Sequence, residues 1–124
     1  MRIDYSIDTN ILILLFNNRL QEPIPGGKLS YSVITEIELL SFPNLSQEDE
    51  VAIQQNLALL QRITIDRDVT QKTILLRRKY RLKTPDAIIA ASAWAVNAIL
   101  LTNDRKLNDV SEIQTQHLAL KNGL

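Results

Sequence analysis

Apolar residues along the chain gather in short runs between polar breaks, and these runs predict strands and helices in alternation. Residues Ile3–Ile7 form a strand-like stretch that stops at Asp8. The segment TNILILLFNN, residues 9–18, is too continuously apolar to fix a period, but its leading threonine and trailing asparagines predict a short buried helix. The Pro and Gly content of EPIPGG, residues 22–27, marks a loop, and KLSYS, residues 28–32, is a short strand. Ser32 then caps a helix through VITEIELLSF, which Pro43 and Asn44 end. Ser46 starts another, QEDEVAIQQNLALLQR. Its early Glu48, Asp49 and Glu50 suit the positive helix end, and Val51, Leu57 and Leu60 supply apolar positions. RITID, residues 62–66, is a third strand. A helix from Asp68 to about Arg81 follows, and the next opens with Thr84 as cap and Pro85 as its first helical residue. NAILLTND, residues 97–104, is a fourth strand, and EIQTQ near the end is a fifth.

This order predicts an α/β domain with a mainly parallel sheet of about five strands flanked by helices. The unbroken run Ile99–Leu101 fits a strand covered on both faces. With 124 residues and no repeat or linker, the chain is expected to form a single domain over 1–124.

Composition narrows the chemistry. Hydrophobic residues make up 45% and charged residues 23%, the balance of a globular protein rather than a disordered one. There is no cysteine and one histidine, His117, which argues against disulfides, thiolate metal sites, a histidine-rich zinc site and a Ser-His-Asp triad. Carboxylates are what remains. MRIDYSIDTN lacks the apolar run of a signal peptide, and no stretch approaches the roughly 20 apolar residues of a membrane span, so a cytoplasmic location is expected. Fourteen basic residues balance fourteen acidic ones, which is not the profile of a protein that coats nucleic acid. The basic residues are unevenly placed, however: Arg77, Arg78, Lys79, Arg81 and Lys83 form one run. Such a run is ordinarily a solvated helix end, and its functional alternative is a local phosphate-contacting patch.

The acids have a pattern of their own. Asp8 ends the first strand and Asp104 the fourth, and ligands of open α/β sheets bind beyond the carboxyl ends of strands. Asp86 stands in the first turn of a helix that already has its start signals, where the helix dipole alone would repay it by roughly 0.3–1 kcal/mol. The second strand runs straight into a helix bearing Glu36 and Glu38. Each acid has an innocent explanation alone. Together they would repel and take up protons unless a cation compensates, and hard divalent ions such as Mg²⁺ or Mn²⁺ prefer such oxygen ligands.

Four blocks, IDTNILI (7–13), SVITEIELL (32–40), TPDAIIAASA (84–93) and LLTNDRKL (100–107), resemble in order and spacing the motifs of PIN domains, most closely the VapC-type ribonuclease toxins of bacterial toxin–antitoxin pairs. The resemblance spans nearly the whole chain. It implies a PIN-like three-layer sandwich and a Mg²⁺- or Mn²⁺-dependent endonuclease for single-stranded RNA. Asp8, Glu38, Asp86 and Asp104 match the family acids and are the candidate catalytic and metal-binding residues. Asn10, Thr102 and Asn103 match supporting polar positions. The family pattern selects Glu38 because Ser32, Thr35 and Leu39 fall in register; Glu36, two positions away, points to a different side of the helix. Many relatives carry arginine at the position of Asn103, so Arg105 is the substitute candidate for an RNA contact, alongside Arg78 and Lys83. Asp109 is a peripheral acid. Thr9 is a helix cap or a partner of a metal-bound water. The resemblance also implies a homodimer and an antitoxin whose tail presents an arginine to the acids. An apolar face including Phe16 and Phe42 is a candidate for either contact, although each aromatic taken alone is expected in the core. Two rival readings are a non-catalytic PIN-like module that binds RNA or protein, and a phosphoacceptor receiver domain. The receiver pattern needs an acidic pair after the first strand, and only Asp8 is there.

Overall fold

The structure is a computed structural model, and it describes residues 2–122. In chain order the elements are β1 (Tyr5–Ile7), α1 (Thr9–Phe16), β2 (Leu29–Ser32), α2 (Val33–Leu40), α3 (Gln47–Leu57), β3 (Gln61–Ile63), α4 (Arg67–Tyr80), α5 (Thr84–Ala95), β4 (Ile99–Leu101), α6 (Arg105–Asn108) and β5 (Thr115–Gln116). The five strands form one sheet in the order β3-β2-β1-β4-β5, and every neighbouring pair is parallel. Parallel strands need crossover helices, and those helices cover both faces.

Alternation along the strands divides the core in two. Ile7 of β1, Tyr31 of β2 and Leu101 of β4 pack with α1, α2 and α3 through Ile11, Leu12, Leu39 and Leu57. Leu100, one residue from Leu101, belongs to the opposite core with Val69, Leu76, Ala87, Ile88 and Leu107. A period of two places neighbouring residues on opposite faces, so the result is three layers: helices, sheet, helices. Ser6 and Ser30 are fully buried and alternate with the residues of the first core, which puts them on the α5 side. The α5 residues Ala90, Ala91 and Ala93 are also fully buried. Small residues on both surfaces let α5 lie close to the sheet, against β1, β2 and β4.

Several boundaries differ from the sequence expectation. The helix expected through residue 62 ends at Leu57, because the chain must turn over residues 58–60 before β3 can pair in parallel with β2. Strand β3 is therefore displaced toward the amino terminus, and Ile65 is left exposed. Helix α4 begins at Arg67 rather than Asp68, and Asp66 caps it: its carboxylate accepts the Val69 N–H at 2.9 Å. Arg81, with φ of 56°, ends that helix in the left-handed conformation. Thr84 is not the cap of α5. Lys83 holds that position, no side chain caps the helix, and Thr84 and Pro85 lie within the first turn. Pro85 is tolerated there because none of the first four N–H groups has an intrahelical partner. Helix α6 was not expected; four residues are too few to show a period. Phe16 and Phe42 are exposed rather than core residues. Among the described residues, no helix is long and apolar enough to cross a membrane.

Enlarging the α5 contact should be costly. Ala91→Leu should destabilise the fold by about 1–3 kcal/mol, read as a lower urea midpoint at unchanged slope.

Candidate active site

The sheet order places β1 at the centre, with β2 on one side and β4 on the other. The chain runs outward from β1 in both directions, so the β1–β4 boundary is the topological switch point where α/β sheets open a crevice. Asp8 lies there. Ile7 pairs with Leu101, and the Asp8 N–H still donates to the Leu101 carbonyl at 3.1 Å, so the next residues, Asp8 and Thr102, emerge side by side. Asp8 occupies the N-cap position of α1, yet its carboxylate makes no cap hydrogen bond. It accepts instead from the Thr102 hydroxyl at 2.7 Å, with both residues buried. The same hydroxyl accepts the Asp104 N–H at 3.1 Å. Thr102 thus fixes one acid by its side chain and the next by its backbone.

A second hydroxyl chain orients Glu38. Ser32 ends β2 and caps α2 through the Ile34 N–H at 3.1 Å, which sends α2 away from the sheet. Thr35 and Glu38, three residues apart, then share one face. The Thr9 hydroxyl donates to Glu38 Oε1 at 2.7 Å and lies 2.9 Å from the Thr35 hydroxyl. Thr9 has one hydroxyl hydrogen, spent on the carboxylate, so Thr35 is the donor to Thr9. Glu36 is held elsewhere: Arg62 Nε donates to it at 3.2 Å and the Tyr31 hydroxyl at 3.4 Å.

Asp86 is half-buried in the first turn of α5. Asp8, Glu38 and Asp86 come from three different elements and line one cleft of about 390 Å³, together with Thr9, Asn10 and Phe42. Asp104 is not on its wall. It caps α6 by accepting the Lys106 N–H at 2.9 Å, but its charge reaches both Asp8 and Asp86. None of the four forms a salt bridge among the described residues. Burial, chiefly, raises the Asp8 carboxyl above its ordinary value; the hydrogen bonds from Thr102 and the Thr9 backbone oppose this, and the Asp104 and Asp86 charges add to it. Asp86 is raised by burial and then by Asp104, against the opposing charges of Lys106 and Lys83.

The remaining expected residues are more dispersed. Asn10 is exposed on the cleft wall. Asn103 does not face the acids: its amide donates to the Leu118 carbonyl at 2.9 Å and accepts the Leu118 N–H at 2.8 Å, pinning the C-terminal segment. Arg105 and Arg78 are exposed on α6 and α4, and Asp109 is the exposed C-cap of α6. Phe16 and Phe42 line an adjoining hollow of about 550 Å³ with Leu39, Leu45 and Ile53, and Phe42 borders the acidic cleft as well. A larger hollow of about 860 Å³ opens at the other end of the sheet, around Asp4, Tyr5, Trp94 and Ile99, and contains none of these acids. Sequence reasoning missed Lys106, whose proximity to Asp86 depends on the unexpected α6. It also missed the donor role of Thr35, although the i, i+3 spacing to Glu38 was there to be seen.

A parallel sheet between two helical layers, with acids converging at its switch point, defines a class of α/β domain. The sequence profile of the PIN domain matches residues 5–113, and the chain belongs to that family. No curated protein matches it. Among solved structures it is similar to a chain of a toxin–antitoxin complex from Klebsiella pneumoniae, with 29% identity, coverage of 89% of this chain and 95% of that one, and a TM-score of 0.74. It also resembles chains of VapBC2 from Rickettsia felis bound to a promoter DNA fragment (20% identity, coverage 94% and 100%, TM-score 0.79). A third similarity is to VapBC-1 from nontypeable Haemophilus influenzae (22% identity, coverage 93% and 98%, TM-score 0.77).

The upward shift of Asp8 has a consequence for stability. A carboxyl raised on folding binds more protons in the folded state, so stability falls as pH rises from the ordinary carboxyl range through the raised value. Asp8→Asn keeps an oxygen for Thr102 and removes the buried charge. In metal-free protein it should raise stability at neutral pH by about 0.5–2 kcal/mol, and the gain should vanish below the unfolded carboxyl range, as read from melting temperature against pH.

Proposed function

We propose that the chain is a VapC-type toxin, a metal-dependent endoribonuclease that hydrolyses phosphodiester bonds of single-stranded RNA. The observation that carries this reading is the meeting of Asp8, Glu38 and Asp86 in one cleft, with the Asp104 charge nearby and, among the described residues, no basic side chain in a salt bridge with any of the four. Desolvated like charges cost free energy that the fold does not recover within itself.

The donor set is all oxygen and hard, which suits Mg²⁺ or Mn²⁺ and not a soft metal. Among the described residues, no three of the acids are drawn into a cage that could hold an ion by protein ligands alone. That too suits Mg²⁺, which is ordinarily held by one or two carboxylates and completes its shell with waters and substrate phosphate. Asp8 and Asp86 would be the ligands, with Glu38 and Asp104 bonding its waters. When bound, such an ion lowers the pKa of a water and neutralises charge on the phosphate. The chain's own contribution is positional. Thr102 locks Asp8, and the Thr35–Thr9 pair locks Glu38. With no histidine at the cleft, a carboxylate is the proton acceptor.

The antitoxin partner follows from the similarity to chains of toxin–antitoxin complexes. A basic tail would pair with the cleft acids in place of a metal. The exposed apolar residues around Phe16 and Phe42 offer contact area for an antitoxin or for a homodimer. A second reading, a non-catalytic PIN-like module binding RNA or protein, draws on the same missing cage and on the engagement of Glu38 by Thr9.

Single-stranded RNA should be cut in Mg²⁺ or Mn²⁺ and spared in chelator. Asp86→Asn should lower the cleavage rate by more than the roughly 10–100-fold typical of losing an outer-shell partner. Thr35→Val should fall within that smaller range. Full activity in chelator or in Asp86→Asn would overturn the metal reading; divalent binding without cleavage would favour the non-catalytic one.

A further inference from the structure

An acidic cleft that must receive a polyanion needs cations at its edge as well as at its centre. The basic run at residues 77–83 was the obvious source, but the fold engages two of its members and puts others away from the α5 N-terminus. Arg77 Nε donates to the Leu82 carbonyl at 3.1 Å. Lys79 pairs with Glu112 at 3.0 Å. Arg78 lies on the exposed side of α4. Arg81 sets the left-handed turn that ends that helix, and its side chain is exposed.

Lys83 is different. It is the N-cap residue of α5, its carbonyl accepts the Ala87 N–H at 2.9 Å, and Asp86 follows within the same turn. Its side chain is free of capping duty and the residue is exposed. Lys106 follows Asp104 by two residues on α6, and Asp104 is tied through Thr102 to Asp8. The Lys106 N–H is held by Asp104 Oδ1, so the first turn of α6 fixes its backbone beside that acid while its side chain is exposed. Both ammonium groups are close enough for their charges to act on Asp86, and neither forms a salt bridge with any carboxylate among the described residues. They are therefore cations beside the acids that the acids do not consume.

We infer that Lys83, beside Asp86, and Lys106, beside Asp104, are phosphate-binding residues next to the cleft acids, each holding a backbone phosphate of the single strand adjacent to the one that enters among the acids. This rests on the proposed nuclease reading and adds to it the path of the substrate: by the α5 N-terminus, Asp86 and α6. Ammonium groups contact phosphates as point charges and carry no base information, so the pair favours polyanion binding without sequence preference.

The test compares wild type with Lys83→Gln, Lys106→Gln and the double variant. Binding of a short labelled oligouridylate is followed by fluorescence anisotropy, with Ca²⁺ replacing Mg²⁺, between about 50 and 200 mM salt. Each lost phosphate contact should reduce the slope of log affinity against log salt by about 0.7, so the double variant should lose about 1.4. In Mg²⁺ its KM should rise while kcat holds within about twofold, and Lys→Arg variants should keep the wild-type slope. Calorimetric Mg²⁺ binding without RNA should be unchanged or tighter, since only competing cations have been removed. An unchanged slope and KM would overturn the inference, as would weaker Mg²⁺ binding that accounts for the loss. A wild type that binds the oligouridylate but cuts no RNA would refute the nuclease reading alone, because the slope still reports on the lysines. A wild type that neither binds nor cuts would overturn both.

Discussion

The Asp8 carboxylate is nearly removed from water, lies within reach of two other acidic charges, and is met by the Thr102 hydroxyl and the Thr9 backbone but by no base. Most of what is distinctive about the molecule follows from that arrangement. Buried carboxylates are ordinarily paired with a base or given several N–H donors. Here the fold supplies neither and still keeps the side chain in place. On the proposed reading the missing counter-charge is a bound cation, and the packing around the acid holds it in place.

That packing is specific. β1 is the central strand, and the Ile7–Leu101 register delivers Thr102 beside Asp8. Small buried residues, Ser6 and Ser30 on the sheet and Ala90, Ala91 and Ala93 on α5, bring α5 close enough for Asp86 to share the cleft. Ser32 turns α2 so that Thr35 and Glu38 face Thr9. Hydroxyls recur at these joints because each can accept one bond and donate another in little volume. The acids thus depend on the serines, threonines and alanines around them for position.

Much of this was legible in the sequence. The strand-helix alternation survives in the structure, because continuous apolar runs such as Ile99–Leu101 and the cap at Ser32 are local signals. The choice of Glu38 over Glu36 came from the resemblance to the family pattern, and helical geometry said only that the two diverge; in the structure Glu38 lines the cleft and Glu36 meets Arg62. Boundaries set by non-local pairing were not legible. The end of α3 depends on where β3 must lie to pair with β2, and α6 forms around a single cap at Asp104. Asn103 looked like part of the acidic site because it neighbours Asp104, but its amide answers to Leu118, which only the folded chain brings near. Lys106 was invisible for the same reason, since its place beside Asp86 exists only once α6 does.

The most direct test of the central claim is anomalous diffraction from crystals of the protein grown with Mn²⁺. An anomalous peak within coordination distance of Asp8 and Asp86 is the expected result, with Glu38 and Asp104 reached directly or through water. Ordered, accessible cleft carboxylates with no manganese between them, or manganese bound only elsewhere on the surface, would contradict it.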